Sequence, residues 1–188
     1  TIVVFSSDQG ADMTKAGLGG LRFNQMGFNG PLRGGKHTFY DGGQRVPFIV
    51  RWPGHVAAKA VNERSVVSGI DWLPTLCGIV GAKIDAKEFD GEDVSGVWLG
   101  KDRERSLPLF WKTNNVRSEM AVLDGKWKLF DPNGKKGEAA ELFNTDTDPA
   151  EAENVAAKNP DVVKDLKAKI ARWNATLPKE YTKTDDKD

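Results

Sequence analysis

The apolar positions along the chain change their spacing several times, and each change marks an element. Ile2-Val3-Val4-Phe5 is an unbroken β-branched and aromatic run, the pattern of a strand buried on both faces of a parallel sheet rather than one alternating toward water. Val46 to Trp52 reads as a second buried strand, stopped by the turn pair Pro53-Gly54. From Asp71 the spacing becomes helical: Asp71 is placed to cap the helix, Pro74 is tolerated in its first turn, and Leu73, Leu76, Cys77 and Val80 share one face before Gly81 ends it. That face is expected to cover the sheet. Further on, Met120 to Leu123 and Lys126 to Phe130 flank Asp124-Gly125, a strong hairpin signal that predicts an antiparallel ribbon. The last element is an amphipathic helix with Asn159 as cap and Pro160 at its first position, its apolar face made by Val163, Leu166, Ile170 and Trp173. Asp165 and Lys169 form an i,i+4 pair on its wet side.

Between the first two strands, Ala11 to Gly35 is rich in glycine and lacks any period, as expected of a functional or mobile loop. After Pro178 the polar tail, residues 179–188, is expected to be disordered. Lys plus Arg and Asp plus Glu each number 27. A balanced and interleaved charge argues against nucleic acid or a membrane surface as the main partner, since both favour a basic excess. No apolar run approaches the roughly 18 to 20 residues that a bilayer requires, so no transmembrane segment is expected. Cys77 is the single cysteine; it excludes an internal disulfide framework and reads as a small buried apolar residue. The six tryptophans are spread along the chain, which makes core packing their default role.

Chemistry concentrates in two places. The opening strand ends in Ser6-Ser7-Asp8-Gln9-Gly10, and the carboxyl edge of strands in an open α/β sheet is where ligand-binding loops converge. Asn29 to Pro47 reads Asn-Gly-Pro-Leu-Arg-Gly-Gly-Lys-His-Thr-Phe-Tyr-Asp-Gly-Gly-Gln-Arg-Val-Pro. This segment closely resembles the substrate-lysine segment of type I, formylglycine-dependent sulfatases of the alkaline phosphatase-like superfamily. Asp71-Trp72-Leu73-Pro74-Thr75, Gly125-Lys126-Trp127-Lys128-Leu129, Glu141-Leu142-Phe143-Asn144 and Asp148-Pro149-Ala150-Glu151 add weaker matches in the family's order, so the resemblance runs from Thr1 to about Leu177.

The resemblance implies an α/β fold: part of an alkaline phosphatase-like sheet with covering helices over residues 1–105, then an α+β subdomain of small antiparallel sheet and carboxyl-terminal helix over 106–178. It also implies that the chain is the carboxyl-terminal portion of a larger enzyme. The Cys- or Ser-x-Pro-x-Arg motif that yields formylglycine does not occur here, and is expected in a missing amino-terminal part together with further pocket residues. By the same resemblance Asp8 is a ligand of a divalent metal, Ca2+ or Mg2+, and Gln9 stands where the family more often has Asn. Both residues can reach one ion only where the chain leaves strand geometry, which Gly10 permits. Hard oxygen ligands suit either ion.

Lys36 resembles the lysine that contacts a sulfate oxygen and the ester oxygen, and its compact ammonium offsets charge developing in the transition state. His37 is either a proton donor to the leaving group or a substrate contact, or a histidine packed at the pocket rim. His55 reads as exposed and inert. Arg33 and Arg45 are open to contact with an anion, although pairing with Asp41 or a neighbouring carboxylate is the more ordinary role. The implied activity is hydrolysis of the sulfate monoester of a small molecule or glycan, with the amino-terminal remainder as partner and inactivity of these residues alone. A non-catalytic binding module, or a phosphodiester or phosphonate hydrolase of the same superfamily, are the alternatives. The resemblance also points to a periplasmic or secreted location.

Overall fold

The computed structural model describes residues 1–12, 27–113, 119–132 and 138–178. The tail at 179–188 and most of the glycine-rich loop lie outside the described residues.

Two sheets organise the described residues. The first is a ribbon of β1 (Val3–Ser6) and β2 (Phe48–Arg51). The ribbon is antiparallel, pairing Val3 with Arg51 and Phe5 with Ile49, so the expected parallel arrangement is corrected. Val3, Phe5 and Ile49 share one face and are 49, 60 and 57% exposed within this chain. The other face is covered. Phe48 packs edge-on against Trp72 at 6.1 Å between ring centroids and against Trp98 at 5.7 Å. A continuous apolar run reports that a strand prefers low water, but it does not identify what lies on each face.

Between the strands lies the one-turn helix α1 (Asp41–Gln44), and after β2 come α2 (Trp72–Val80) and α3 (Ser95–Trp98). Gly81 ends α2 in the left-handed region at φ 72°, as its position predicts. Its inward residues are not the expected ones, since Pro74 and Thr75 are buried while Leu73, Leu76 and Val80 are exposed. Cys77 is half-buried. Asp71 makes no side-chain cap to α2. Its carboxylate instead accepts from Ser68 N at 2.7 Å and Glu92 N at 3.0 Å, and takes both Arg105 Nη atoms at 2.6 and 2.9 Å. A fully buried carboxylate needs that many donors to offset lost hydration.

The second sheet is a meander in the order β3 (Leu109–Lys112), β4 (Met120–Asp124), β5 (Trp127–Asp131), β6 (Glu141–Asn144), every pair antiparallel. The turn between β4 and β5 uses Gly125 at φ 55°, as the Asp-Gly pair predicts. Strand alternation sends Val122, Leu129 and Leu142 to one face, where Leu166 and Ile170 of α4 (Pro160–Thr176) close the core. Each such buried aliphatic contributes about 1.5–3 kcal/mol. Trp173 stacks on Phe110 at 5.0 Å. Asn159 sits at the cap position without a side-chain cap, donating instead to Val155 O at 2.9 Å. Lys169 pairs with Asp165 at 2.9 Å as expected, and also with Asp124 at 2.5 Å. No helix among the described residues is long and apolar enough to cross a membrane.

The opposite face of this sheet is also covered. Lys128, Phe130, Glu141 and Phe143 alternate onto it, and the segment from Arg33 to Asp41 lies across them. Tyr40 meets Phe130 at 5.6 Å and Phe143 at 6.3 Å, and Phe39 meets Phe130 at 6.4 Å. The lysine segment thus forms a third layer, with the sheet between it and α4.

Candidate active site

The turn leaving β1 and the lysine loop are joined by backbone hydrogen bonds. Lys36 N donates to Ala11 O at 2.9 Å and Gly10 N donates to Gly43 O at 3.0 Å. Asn29 stitches the two further, its Oδ1 accepting from Ala11 N at 2.9 Å and its Nδ2 donating to Gly34 O at 3.0 Å. The approach is so close that a Cβ on Gly10 would lie 1.7 Å from Gly42 O, a contact no side chain survives. Within the loop, Gly34 takes φ 73°, and Thr38 closes the tip by donating to Gly35 O at 2.7 Å. These contacts depend on glycine because backbone must meet backbone.

On this frame the predicted residues take definite places. Asp8 is exposed on the turn and Lys36 is half-buried on the facing loop. Gln9 Oε1 accepts the His37 amide at 3.3 Å, and His37 holds φ 70°, left-handed and costly for a residue with a Cβ. Its side chain is exposed. The contact brings Gln9 and His37 together, and the Ala11 bond ties Lys36 to the same turn. No cluster of three or more His, Cys, Asp or Glu suited to a metal ion occurs among the described residues. His55 lies apart, exposed and stacked on Trp52 at 3.9 Å.

Sequence reasoning missed the groups beneath the loop. Arg33 does not pair with Asp41. Its Nη1 donates to Glu141 Oε2 at 3.1 Å and to Glu151 O at 3.2 Å, and its guanidinium lies 3.9 Å over the Tyr40 ring. Tyr40 donates its hydroxyl to Glu141 Oε2 at 2.8 Å. Asp41 instead pairs with Lys128, which also meets Glu151 Oε1 at 2.8 Å. Lys128 and Glu151 are 2 and 0% exposed. Burial raises the Glu151 carboxyl above its ordinary range, against the lowering effect of Lys128, and burial with the Glu141 bond raises the Tyr40 hydroxyl. The signal for Lys128 was present as a charge within the apolar run Trp127-Lys128-Leu129-Phe130, where an inward lysine demands a buried anion.

Residues 35–176 match the family model described as N-sulphoglucosamine sulphohydrolase, C-terminal. The chain belongs to the sulfatases. It is 36% identical over 131 residues to arylsulfatase A of Homo sapiens, covering 68% of this chain and 24% of that protein. It is 32% identical over 193 residues to a sulfatase of Formosa agariphila, covering 92% of this chain and 32% of that one. Among solved structures, Ps i-CgsB in complex with k-i-k-neocarrahexaose aligns with a TM-score of 0.73 at 27% identity, over 92% of this chain and 36% of that one. The sulfatase chain thus spans about a quarter to a third of the length of the relatives it matches. The alkaline phosphatase-like fold expected from the lysine segment is the fold of these neighbours.

Proposed function

We propose that this chain is the carboxyl-terminal portion of an enzyme that hydrolyses sulfate monoesters, and that Lys36, Asp8 and Gln9 serve its reaction centre. The observation that carries the reading is the backbone seam at Lys36 N and Ala11 O, because it ties the sulfate-neutralising ammonium to the turn bearing the carboxylate. Lys36 would contact a sulfate oxygen and the ester oxygen, countering the charge that grows as the S–O bond breaks. His37 is proposed as a proton donor to the leaving alkoxide, since an imidazole titrates near neutrality.

Asp8 and Gln9 offer two hard oxygens, the right donor chemistry for Ca2+ or Mg2+ and a fraction of the roughly six to eight ligands calcium takes. Such an ion would neutralise the sulfate charge when bound. The formylglycine nucleophile and the remaining ligands are assigned to the amino-terminal remainder of the enzyme. The open apolar face of Val3, Phe5 and Ile49 supports a remainder that covers it. On this reading residues 1–105 belong to the catalytic domain and 106–178 form the carboxyl-terminal subdomain. The complex of Ps i-CgsB with k-i-k-neocarrahexaose supports a glycan as substrate, and the sulfatase relatives support the sulfate ester on it. The Gln9 bond to the His37 amide favours a second reading, a non-catalytic module, because it engages one of the two proposed metal ligands.

The test compares turnover of an aryl sulfate with that of the matching aryl phosphate by the enzyme that includes these residues. Faster sulfate cleavage is expected. Preference for the phosphate would assign the chain to a phosphoryl-ester hydrolase of the superfamily, and cleavage of neither would favour the module.

A further inference from the structure

We infer that Glu151 and Lys128 are positioning residues that clamp the Lys36 loop onto the four-stranded sheet; the inference rests on the proposed role of Lys36. Glu151 stands at a junction of three contacts. Its Oε2 accepts the Asp41 amide at 2.6 Å, its Oε1 meets Lys128 Nζ at 2.8 Å, and its carbonyl accepts Arg33 Nη1 at 3.2 Å. Arg33 and Asp41 flank the Lys36 loop at its two ends. One buried residue therefore holds both ends, while Lys128 holds Asp41 from β5.

The presentation of Glu151 is itself built. It takes φ 51°, a left-handed conformation costing on the order of 1–3 kcal/mol in a residue with a side chain. Asp148 enforces it, accepting from Ala152 N at 3.1 Å and Glu153 N at 2.9 Å while its carbonyl accepts Glu151 N at 3.1 Å. Those two amides also hold the Asp148 carboxyl below the ordinary carboxylate range. The Asp148-Pro149-Ala150-Glu151 turn is thus a device that points one carboxylate under the lysine loop. A fold-stabilising ion pair would need neither the strained backbone nor the contact to both loop ends.

The experiment pairs Glu151→Gln with amide hydrogen exchange. The Lys36, Gly42 and Gly43 amides, bonded to Ala11, Arg33 and Tyr40 carbonyls, should exchange faster by on the order of tenfold once the anion is removed, while β4 and β5 amides keep their rates. In the enzyme that includes this chain, kcat for an aryl sulfate should fall with KM unchanged. Tyr40→Phe removes only the Glu141 bond, and is expected to give a smaller effect of the same local kind. Uniform acceleration across loop and strands in both variants would overturn the clamp, leaving Glu151 a general stabiliser. Unchanged exchange and kcat in Glu151→Gln, with Lys36→Ala inactive, would overturn the clamp and spare the sulfatase reading. Local loosening combined with a fully active Lys36→Ala would overturn that reading instead.

Discussion

On the proposed function, replacing Lys36 by alanine in the full enzyme is expected to lower turnover of an aryl sulfate by about 10²–10³-fold, the loss typical of one preorganised charge-stabilising donor. The substitution is well suited to the question. The contact that fixes Lys36 in place is its backbone N–H on Ala11 O, which alanine retains. Its side chain makes no ion pair among the described residues, so truncation removes a charge without leaving a buried partner exposed to nothing. Circular dichroism and the thermal midpoint should therefore stay at wild-type values while kcat falls. Arginine at the same position should restore little, because a planar fork does not reproduce a compact ammonium. A fully active Lys36→Ala would remove the residue from the reaction.

The largest effect on stability is expected at Arg105. Asp71 is 0% exposed and the Arg105 side chain 6% exposed, and the two meet through a bidentate pair at 2.6 and 2.9 Å. Glu92 extends the group, accepting Leu107 N at 3.0 Å and pairing with Arg103. The network ties the segment before β3 to the start of α2. Arg105→Ala would strand the Asp71 carboxylate with two backbone N–H donors and no counter-charge, which costs about 3–5 kcal/mol. For a chain of this size that corresponds to a drop in Tm of about 6–20 °C. Arg105→Lys should fall between, retaining the charge and losing the fork. Differential scanning calorimetry reads the difference directly. A loss within the range of about 0–1 kcal/mol seen for exposed pairs would mean that solvent reaches the site.

Legibility in the sequence followed the range of the interactions involved. The β4–β5 hairpin and the last helix were readable because local chemistry decides them: Asp124-Gly125 supplies the turn, Pro160 starts the helix, and Leu166 and Ile170 recur at helical spacing. The ribbon was misread. Ile2 to Phe5 announces a strand, but the direction of its partner depends on residues more than forty positions away. In α2 the apolar stripe through Leu73, Leu76 and Val80 correctly marked a helix and wrongly marked its inner side. There the packing is decided by Trp72 against Phe48 and by Thr75 accepting Val94 N at 3.0 Å.

At the candidate site, the motif from Asn29 to Pro47 and the turn from Asp8 to Gly10 could be singled out from the sequence as the two segments of interest, and the structure joins them at Lys36 N and Ala11 O. What lay under the loop could not be singled out. Arg33 and Asp41 read as charges open to pairing with each other or with a neighbour, and the network they form with Lys128, Glu141 and Glu151 exists only once β5, β6 and the Asp148 turn are folded together.

The most direct measurement is a crystal structure of the enzyme that includes this chain, with calcium and sulfate bound. Lys36 Nζ is expected at about 2.7–3.2 Å from a sulfate oxygen, and an Asp8 oxygen at about 2.3–2.6 Å from the calcium that holds the same sulfate. Sulfate lodged elsewhere, with the Asp8 carboxylate and the Lys36 ammonium facing away from each other, would contradict that placement.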